Sequence, residues 1–290
     1  MSKPILLLNK AVQDSIDRIV VEPPNVLLLI GDAGAGKDAI AAQMLVRLLG
    51  DAPPQSIFVD TPTSIWLGVE TAPMIDDVRR VHGFISLKTF GDNIVRRAVV
   101  LRQVDQMSDE AQNAMLKMLE EPPADTLFLL LAENKTHIRP TVLSRARMIH
   151  ITPVTIESAL SYFSDIHPDT VRKMYMMTGG MPGLMSQLLL SDDPHPITSA
   201  MDTAKRLLSE QTYARLVMLE SLSADKSQLA LILRAIEQIY RHSLLQSLSR
   251  GDKTAATVWH RRLSTVHISL EMIGNNPNYK LLLTRLLMDL

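Results

Sequence analysis

The stretch Asn25–Ile40, NVLLLIGDAGAGKDAI, constrains the fold more than any other part of the chain. An apolar run from Val26 to Ile30 breaks at Gly31, and helical periodicity begins near Lys37. A continuous apolar run ended by glycine suits a strand buried on both faces. Gly31, Gly34 and Gly36 free the backbone to turn its N–H groups inward, and the helix that follows aims its positive end at the same place. Four residues separate Gly31 from the pair Gly36–Lys37, which is the spacing of a phosphate-binding loop. The loop set is then Gly31, Gly34, Ala35, Gly36, Lys37 and Asp38. A glycine-rich turn with an incidental lysine is the plainer reading, but the strand–loop–helix context supports the motif.

Asp38 stands where such a loop places a Ser or Thr hydroxyl on magnesium. A carboxylate suits the start of a helix. Toward a polyphosphate it is repulsive, by about 3 kcal/mol at roughly 5 Å and an effective dielectric of about 20. The loop shape is kept while one metal anchor is lost.

The same alternation continues to about residue 153. A helix is expected at 9–21, a second at 37–49 stopped by Gly50, and others at 72–85 and 108–121. SIFVD at 56–60, RRAVVL at 96–101 and TLFLLLA at 126–132 read as further buried strands. Apolar strands separated by helices predict a parallel sheet flanked by helices on both faces. Beyond Pro153 only helical patterns remain: 155–166, 169–178 and 184–190, then a linker over SDDPHPITS at 191–199. Long helices follow, with Leu229, Leu231, Ile232, Ile236, Ile239 and Tyr240 at three- and four-residue spacing. The expected division is 1–153, 154–198 and 199–290.

Composition removes several function classes. The 290 residues include no Cys, so disulfides, Cys-ligated zinc and thiol chemistry are out. A net charge of −1 argues against autonomous non-specific nucleic-acid binding, and 4% aromatics against a base-stacking surface. No apolar run reaches the length of a membrane span or signal core, which predicts a soluble, cytoplasmic protein. His137 and His150 lack partners at metal-ligand spacing, so no metal site is expected. No Ser/His/Asp pattern supports a hydrolase. Glu120 and Glu121 read as residues that end and orient a helix before Pro122, and Met174, Met176 and Met177 as adaptable packing.

A nucleotide-hydrolysing loop also needs acids at the end of a neighbouring strand, to hold magnesium and to polarise water. The candidate is AVVLRQVDQMSDEAQNAMLKMLEEPP, residues 98–123, and here AQNAMLKMLEEPP resembles the bacterial DNA polymerase III clamp-loader subunits of the AAA+ class. The resemblance continues through TLFLLLAENKTHIRPTVLSRARMIHI, GGMPGLMSQLL and NNPNYKLLLTRLLMDL, and so covers the chain. It implies an α/β AAA+ P-loop domain, a small helical lid domain and an all-α collar that assembles with partner subunits. The chain would end on the collar helix, with no tail for polymerase or helicase binding.

The departures from the family pattern carry the functional expectations. Arg102 and Gln103 occupy the positions of the magnesium-binding Asp and the catalytic Glu, a degenerate Walker B, and Asp105 falls three residues after Arg102. Gly183 stands at the lid arginine that contacts nucleotide in ATPase members, and Glu133 near the polar residue that senses the terminal phosphate. The zinc module of many relatives is missing. In Ser144–Arg145–Ala146, which matches Ser-Arg-Cys, the resemblance implies that Arg145 is an arginine finger offered in trans; a salt bridge at a strand edge is the plainer role. By resemblance the partners are gamma/tau- and delta-type subunits in a hetero-oligomeric ring, with the sliding clamp and primed DNA reached through the complex. No cofactor is required, and weak ATP or ADP binding stays open. The rivals are an ATP-hydrolysing gamma/tau-type motor, opposed by Asp38, Arg102 and Gln103, and a small-molecule P-loop kinase, which leaves AQNAMLKMLEEPP unexplained. Since Asp38 and Arg102 stand where two metal anchors converge, they are expected either to pair with each other or to turn separately to solvent.

Overall fold

A computed structural model describes residues 6–50, 60–90, 92–190, 195–222, 225–275, 284 and 286. The chain forms two compact units, one of residues up to Ser164 with Gly180–Leu184, the other of Asp165–Gly179 with Met185–Leu290.

In chain order the first unit holds α1 (Lys10–Val21), β1 (Val26–Ile30), α2 (Lys37–Leu49), β2 (Ser64–Leu67), α3 (Ile75–Ile85) and β3 (Arg97–Leu101). It continues with α4 (Asp109–Glu120), β4 (Thr126–Ala132), α5 (Pro140–Leu143), β5 (Arg147–His150) and α6 (Ile156–Tyr162). The strands form one parallel sheet in the order β2-β3-β4-β1-β5. Registers such as Leu28 with Leu130 and Val99 with Phe128 align the apolar runs across its centre.

Alternation of side chains along each strand builds two cores. Leu27, Leu29, Val100 and Leu129 pack with Ile16, Ile40 and Met44 of α1 and α2. Leu28, Val99, Leu101 and Phe128 pack with Val78, Met115 and Leu119 of α3 and α4 on the opposite face. Both faces are covered, so β1, β3 and β4 are buried throughout, as their uninterrupted apolar sequences require. Full burial of one such Leu contributes about 2 kcal/mol.

Local signals set the helix ends near the site. The Ser108 hydroxyl accepts from the Ala111 N–H at 3.2 Å to start α4. Gly50, at φ 74°, ends α2 with its N–H on the Val46 carbonyl at 3.1 Å. Gln112, fully buried on the core face of α4, donates to the Met107 and His137 carbonyls and accepts from the Arg139 N–H. One amide thus fixes the turn that leads into α5.

Two expectations are corrected. Ser64–Leu67 is a strand that the sequence pattern does not single out, while 56–59 of the expected strand at 56–60 lie outside the described residues, and Asp60 is not in a strand. The expected linker at 191–199 is partly helix: α9 starts at Pro196, with the His195 ring accepting from the Ile197 N–H at 3.1 Å. Proline is tolerated in a first turn because that N–H has no helical partner.

The second unit contains α7 (Pro168–Thr178), the greater part of α8 (Pro182–Leu190), α9 (Pro196–Ser209), α10 (Thr212–Leu222), α11 (Lys226–Ser249) and α12 (Lys253–Asn275). Its core joins Met177, Ala204, Leu229, Ile232, Ile236, Tyr240 and Val266. Most of the expected apolar stripe of α11 is thus spent internally. Leu245 and Leu248 on the same helix remain exposed. Among the described residues no helix is long and apolar enough to cross a membrane.

Candidate functional site

In an open parallel sheet, ligands bind beyond the carboxyl ends of the strands where strand order reverses. Here β1 and β4 are neighbours although β2 and β3 intervene in sequence, and the glycine-rich loop leaves β1 at that point. Gly34 and Gly36 take φ of 82° and 84°, which side-chain-bearing residues rarely adopt. Gly36 is the N-cap of α2, and its carbonyl accepts from the Ile40 N–H at 3.0 Å. Ala35 is buried, and its N–H donates to the Asp32 carbonyl at 3.1 Å.

Lys37 points back rather than outward. Its Nζ donates to the Gly31 carbonyl at 2.5 Å and to the Asp32 carbonyl at 3.2 Å. Burial pushes its pKa down, opposed by the charges of Glu133, Asp38, Asp105 and Asp32. The ammonium is a strut of the loop.

Asp38 and Arg102 form a two-pronged ion pair. Arg102 Nε donates to Asp38 Oδ1 at 2.7 Å, and Nη2 to Oδ2 at 3.0 Å. The remaining nitrogen, Nη1, donates to the Val69 carbonyl at 2.7 Å and the Gly68 carbonyl at 3.1 Å. One guanidinium therefore joins α2, the end of β3 and the turn after β2. Gly68 (φ 79°) has no room for a side chain, since a Cβ there would lie 2.7 Å from the Arg102 carbonyl oxygen. Gln103 has φ 52° and ψ 39°, a left-handed conformation uncommon without glycine, and its Nε2 donates to the Gly68 carbonyl at 3.2 Å. Arg102 and Gln103, at the end of β3, thus stitch that strand to the turn after β2.

Magnesium takes carboxylate, phosphate and water oxygens in a near-octahedral shell. The residues here do not fit it: the Asp38 oxygens are held by a guanidinium, and Arg102 brings a positive charge to the same corner. Among the described residues no group of three His, Asp or Glu side chains could hold a metal ion. Asp105 has a structural task, its Oδ2 accepting from the Glu133 and Asn134 N–H groups at 3.1 and 2.9 Å beyond β4.

Arg145, just past α5, belongs to a different group of contacts. Nη2 donates to Glu120 Oε1 at 2.8 Å, and Nη1 to the Thr141 carbonyl at 2.7 Å and to Ser144 Oγ at 3.3 Å. Its side chain keeps 33% exposure. The plainer role, a salt bridge, is therefore present, with Glu120 of α4 as its partner. Sequence patterns do not reveal that partner, because the two residues meet only through packing of α4 on α5. Gly183 sits against the loop, with its neighbour Leu184 donating an N–H to the Gly34 carbonyl at 2.8 Å.

The family described as "DNA polymerase III, delta subunit" matches residues 21–155, the region that contains the whole sheet. A delta′ subunit of DNA polymerase III from Pseudomonas aeruginosa strain PAO1 is 28% identical over 207 residues, 64% of this chain and 62% of that protein. The delta′ subunit of Escherichia coli strain K12 is 31% identical over 90 residues, 30% of this chain and 27% of that protein. The chain thus matches less than two thirds of the length of either relative. The crystal structure of a DNA polymerase III gamma subunit-related protein from Thermotoga maritima MSB8 superposes with a TM-score of 0.55 at 14% identity, covering 95% of this chain and 97% of that one. That likeness bears on the fold, an AAA+ sheet followed by helices. By these matches the chain shares the AAA+ fold and is similar, over the region that holds its sheet, to the delta′ subunits of bacterial DNA polymerase III.

Proposed function

We propose that this chain is a delta′-like clamp-loader subunit that hydrolyses no ATP itself and offers Arg145 to a neighbouring ATPase subunit. The observation that carries the first half is the Asp38–Arg102 pair, which fills the corner where an ATPase needs magnesium. With Gln103 in place of a base, the site has neither a metal anchor nor a group to polarise water. The second half rests on the intact Ser144–Arg145 sequence and on a guanidinium that remains part-exposed at the surface. A subunit that has lost its own chemistry can still stabilise charge on a neighbour's terminal phosphate.

In this reading the division is an AAA+ domain at 1–153, a helical lid at 154–198 and a collar at 199–290. The collar binds gamma/tau- and delta-type subunits in a cytoplasmic hetero-oligomeric ring, and the sliding clamp and primed DNA are reached through that ring. No cofactor and no zinc are required.

The test is reconstitution of the full chain with its partner subunits. Arg145→Ala in the assembled complex should depress ATP turnover while assembly and folding are unchanged. Unchanged turnover returns Arg145 to a purely structural ion pair with Glu120.

A further inference from the structure

The Arg145 guanidinium is anchored at one nitrogen and neutralised at another. Nη1 donates to the Thr141 carbonyl at 2.7 Å and to Ser144 Oγ at 3.3 Å, and the Ser144 hydroxyl donates to the same carbonyl at 3.1 Å. These acceptors are local and uncharged. Nη2 instead donates to Glu120 Oε1 at 2.8 Å, 25 residues away in sequence.

Glu120 is not needed to place the segment that carries Arg145. Val142 is fully buried in the same core as Met115 and Leu119 of α4. Gln112, also fully buried, donates to the His137 carbonyl at 3.0 Å and accepts from the Arg139 N–H at 2.9 Å. Arg139 pairs in addition with Asp109 at the start of α4, at 3.4 Å. The backbone before Arg145 is thus tied to α4 by other residues. Nor does Glu120 help its own helix. It is the last residue of α4, at the end where the dipole disfavours a carboxylate. What Glu120 adds is a negative charge against the guanidinium.

A guanidinium stabilises a phosphate through its positive charge, so a carboxylate already in contact with it is a competitor. We propose that Glu120 gates Arg145, an inference that rests on the reading of Arg145 as a finger. The carboxylate stores the guanidinium within its own subunit and yields it to the terminal phosphate of a neighbour. Both side chains keep solvent contact, 33% for Arg145 and 47% for Glu120, and a pair that exposed is weak enough to exchange. When the phosphate departs, Glu120 recovers the guanidinium. The state of the neighbour's nucleotide therefore decides when Arg145 is released, while the Thr141 and Ser144 contacts keep it aimed.

The experiment uses the full chain reassembled with gamma/tau- and delta-type partner subunits, with turnover measured at limiting ATP. Glu120→Gln keeps the side-chain shape and an acceptor oxygen while removing the charge. It should raise turnover about two- to fivefold, the bias that an exposed ion pair places on an equilibrium. Adding Arg145→Ala should abolish that gain. On the isolated full chain, phenylglyoxal labelling of Arg145, read by mass spectrometry, should also run faster in Glu120→Gln. Unchanged or lower turnover in Glu120→Gln, a gain that survives Arg145→Ala, or equal labelling overturns the gate. If Arg145→Ala alone leaves turnover unchanged, the finger reading fails and the gate falls with it. If Arg145→Ala lowers turnover and Glu120→Gln does not raise it, the gate alone fails.

Discussion

The Asp38 carboxylate and the Arg102 guanidinium meet edge to edge, at 2.7 and 3.0 Å, although 64 residues separate them in sequence. Each would leave an uncompensated, partly buried charge if the other were absent. Together they cancel, and the geometry is the parallel fork that carboxylate and guanidinium favour. Arg102 is 18% exposed and Asp38 35%, so solvent screens part of the attraction.

A double-mutant cycle on these two residues should give a coupling of about 1 kcal/mol, the scale of a part-exposed forked pair. Arg102→Ala should cost more than Asp38→Ala, about 2 kcal/mol against about 1, because it also strips donors from the Gly68 and Val69 carbonyls. Chemical denaturation of the four proteins is the measurement. Equal costs for both single variants would mean that the strand-stitching bonds contribute nothing.

Assembly should depend on the exposed apolar side chains of α11. Leu245 and Leu248 are 60% and 57% exposed and lie in the last turns of α11, so replacing both with Lys, a good helix former suited to that end of the dipole, should leave stability within about 0.5 kcal/mol. If this helix faces partner subunits, the same change should weaken co-elution with them on size-exclusion chromatography. Unaltered co-elution would remove α11 from the interface.

A pH effect is expected at the opposite end of the sheet from the site. Burial raises the Asp125 pKa, but the Thr89 hydroxyl, the Arg97 guanidinium and the Thr126 hydroxyl outweigh it and hold the carboxyl below its ordinary range. A carboxylate depressed in the folded state stabilises it above the unfolded pKa, and that contribution fades as pH falls through the folded value. Asp125→Asn should therefore cost about 2 kcal/mol near pH 6. The gap from wild type should narrow below about pH 4. Urea unfolding across that range checks it, and a gap independent of pH would assign the loss to packing.

The elements that build the site were legible where local rules suffice. β1, the loop and α2 follow from an apolar run, three glycines and a helix stopped by Gly50, and all stand where the spacing places them. The resemblance left two outcomes open for Asp38 and Arg102, pairing or separate exposure to solvent, and the structure shows the pair. β2 was not: four residues with Trp66 between threonine, proline and glycine turns carry no alternation to read, and burial between β3 and the helices is what makes them a strand. The Glu120 partner of Arg145 and the seat of Gly183 on Gly36 depend on tertiary packing between distant segments. No local periodicity encodes such contacts. Pro196 misleads for another reason, because proline marks linkers and helix starts alike.

We propose that the Asp38–Arg102 ion pair stands in for a metal ion. Steady-state phosphate release by the purified chain, with ATP and a magnesium titration, tests it most directly. No release above background is expected at any magnesium concentration, and no difference between the wild type and Lys37→Ala. Magnesium-dependent release that disappears in Lys37→Ala would contradict it and make the chain a motor subunit.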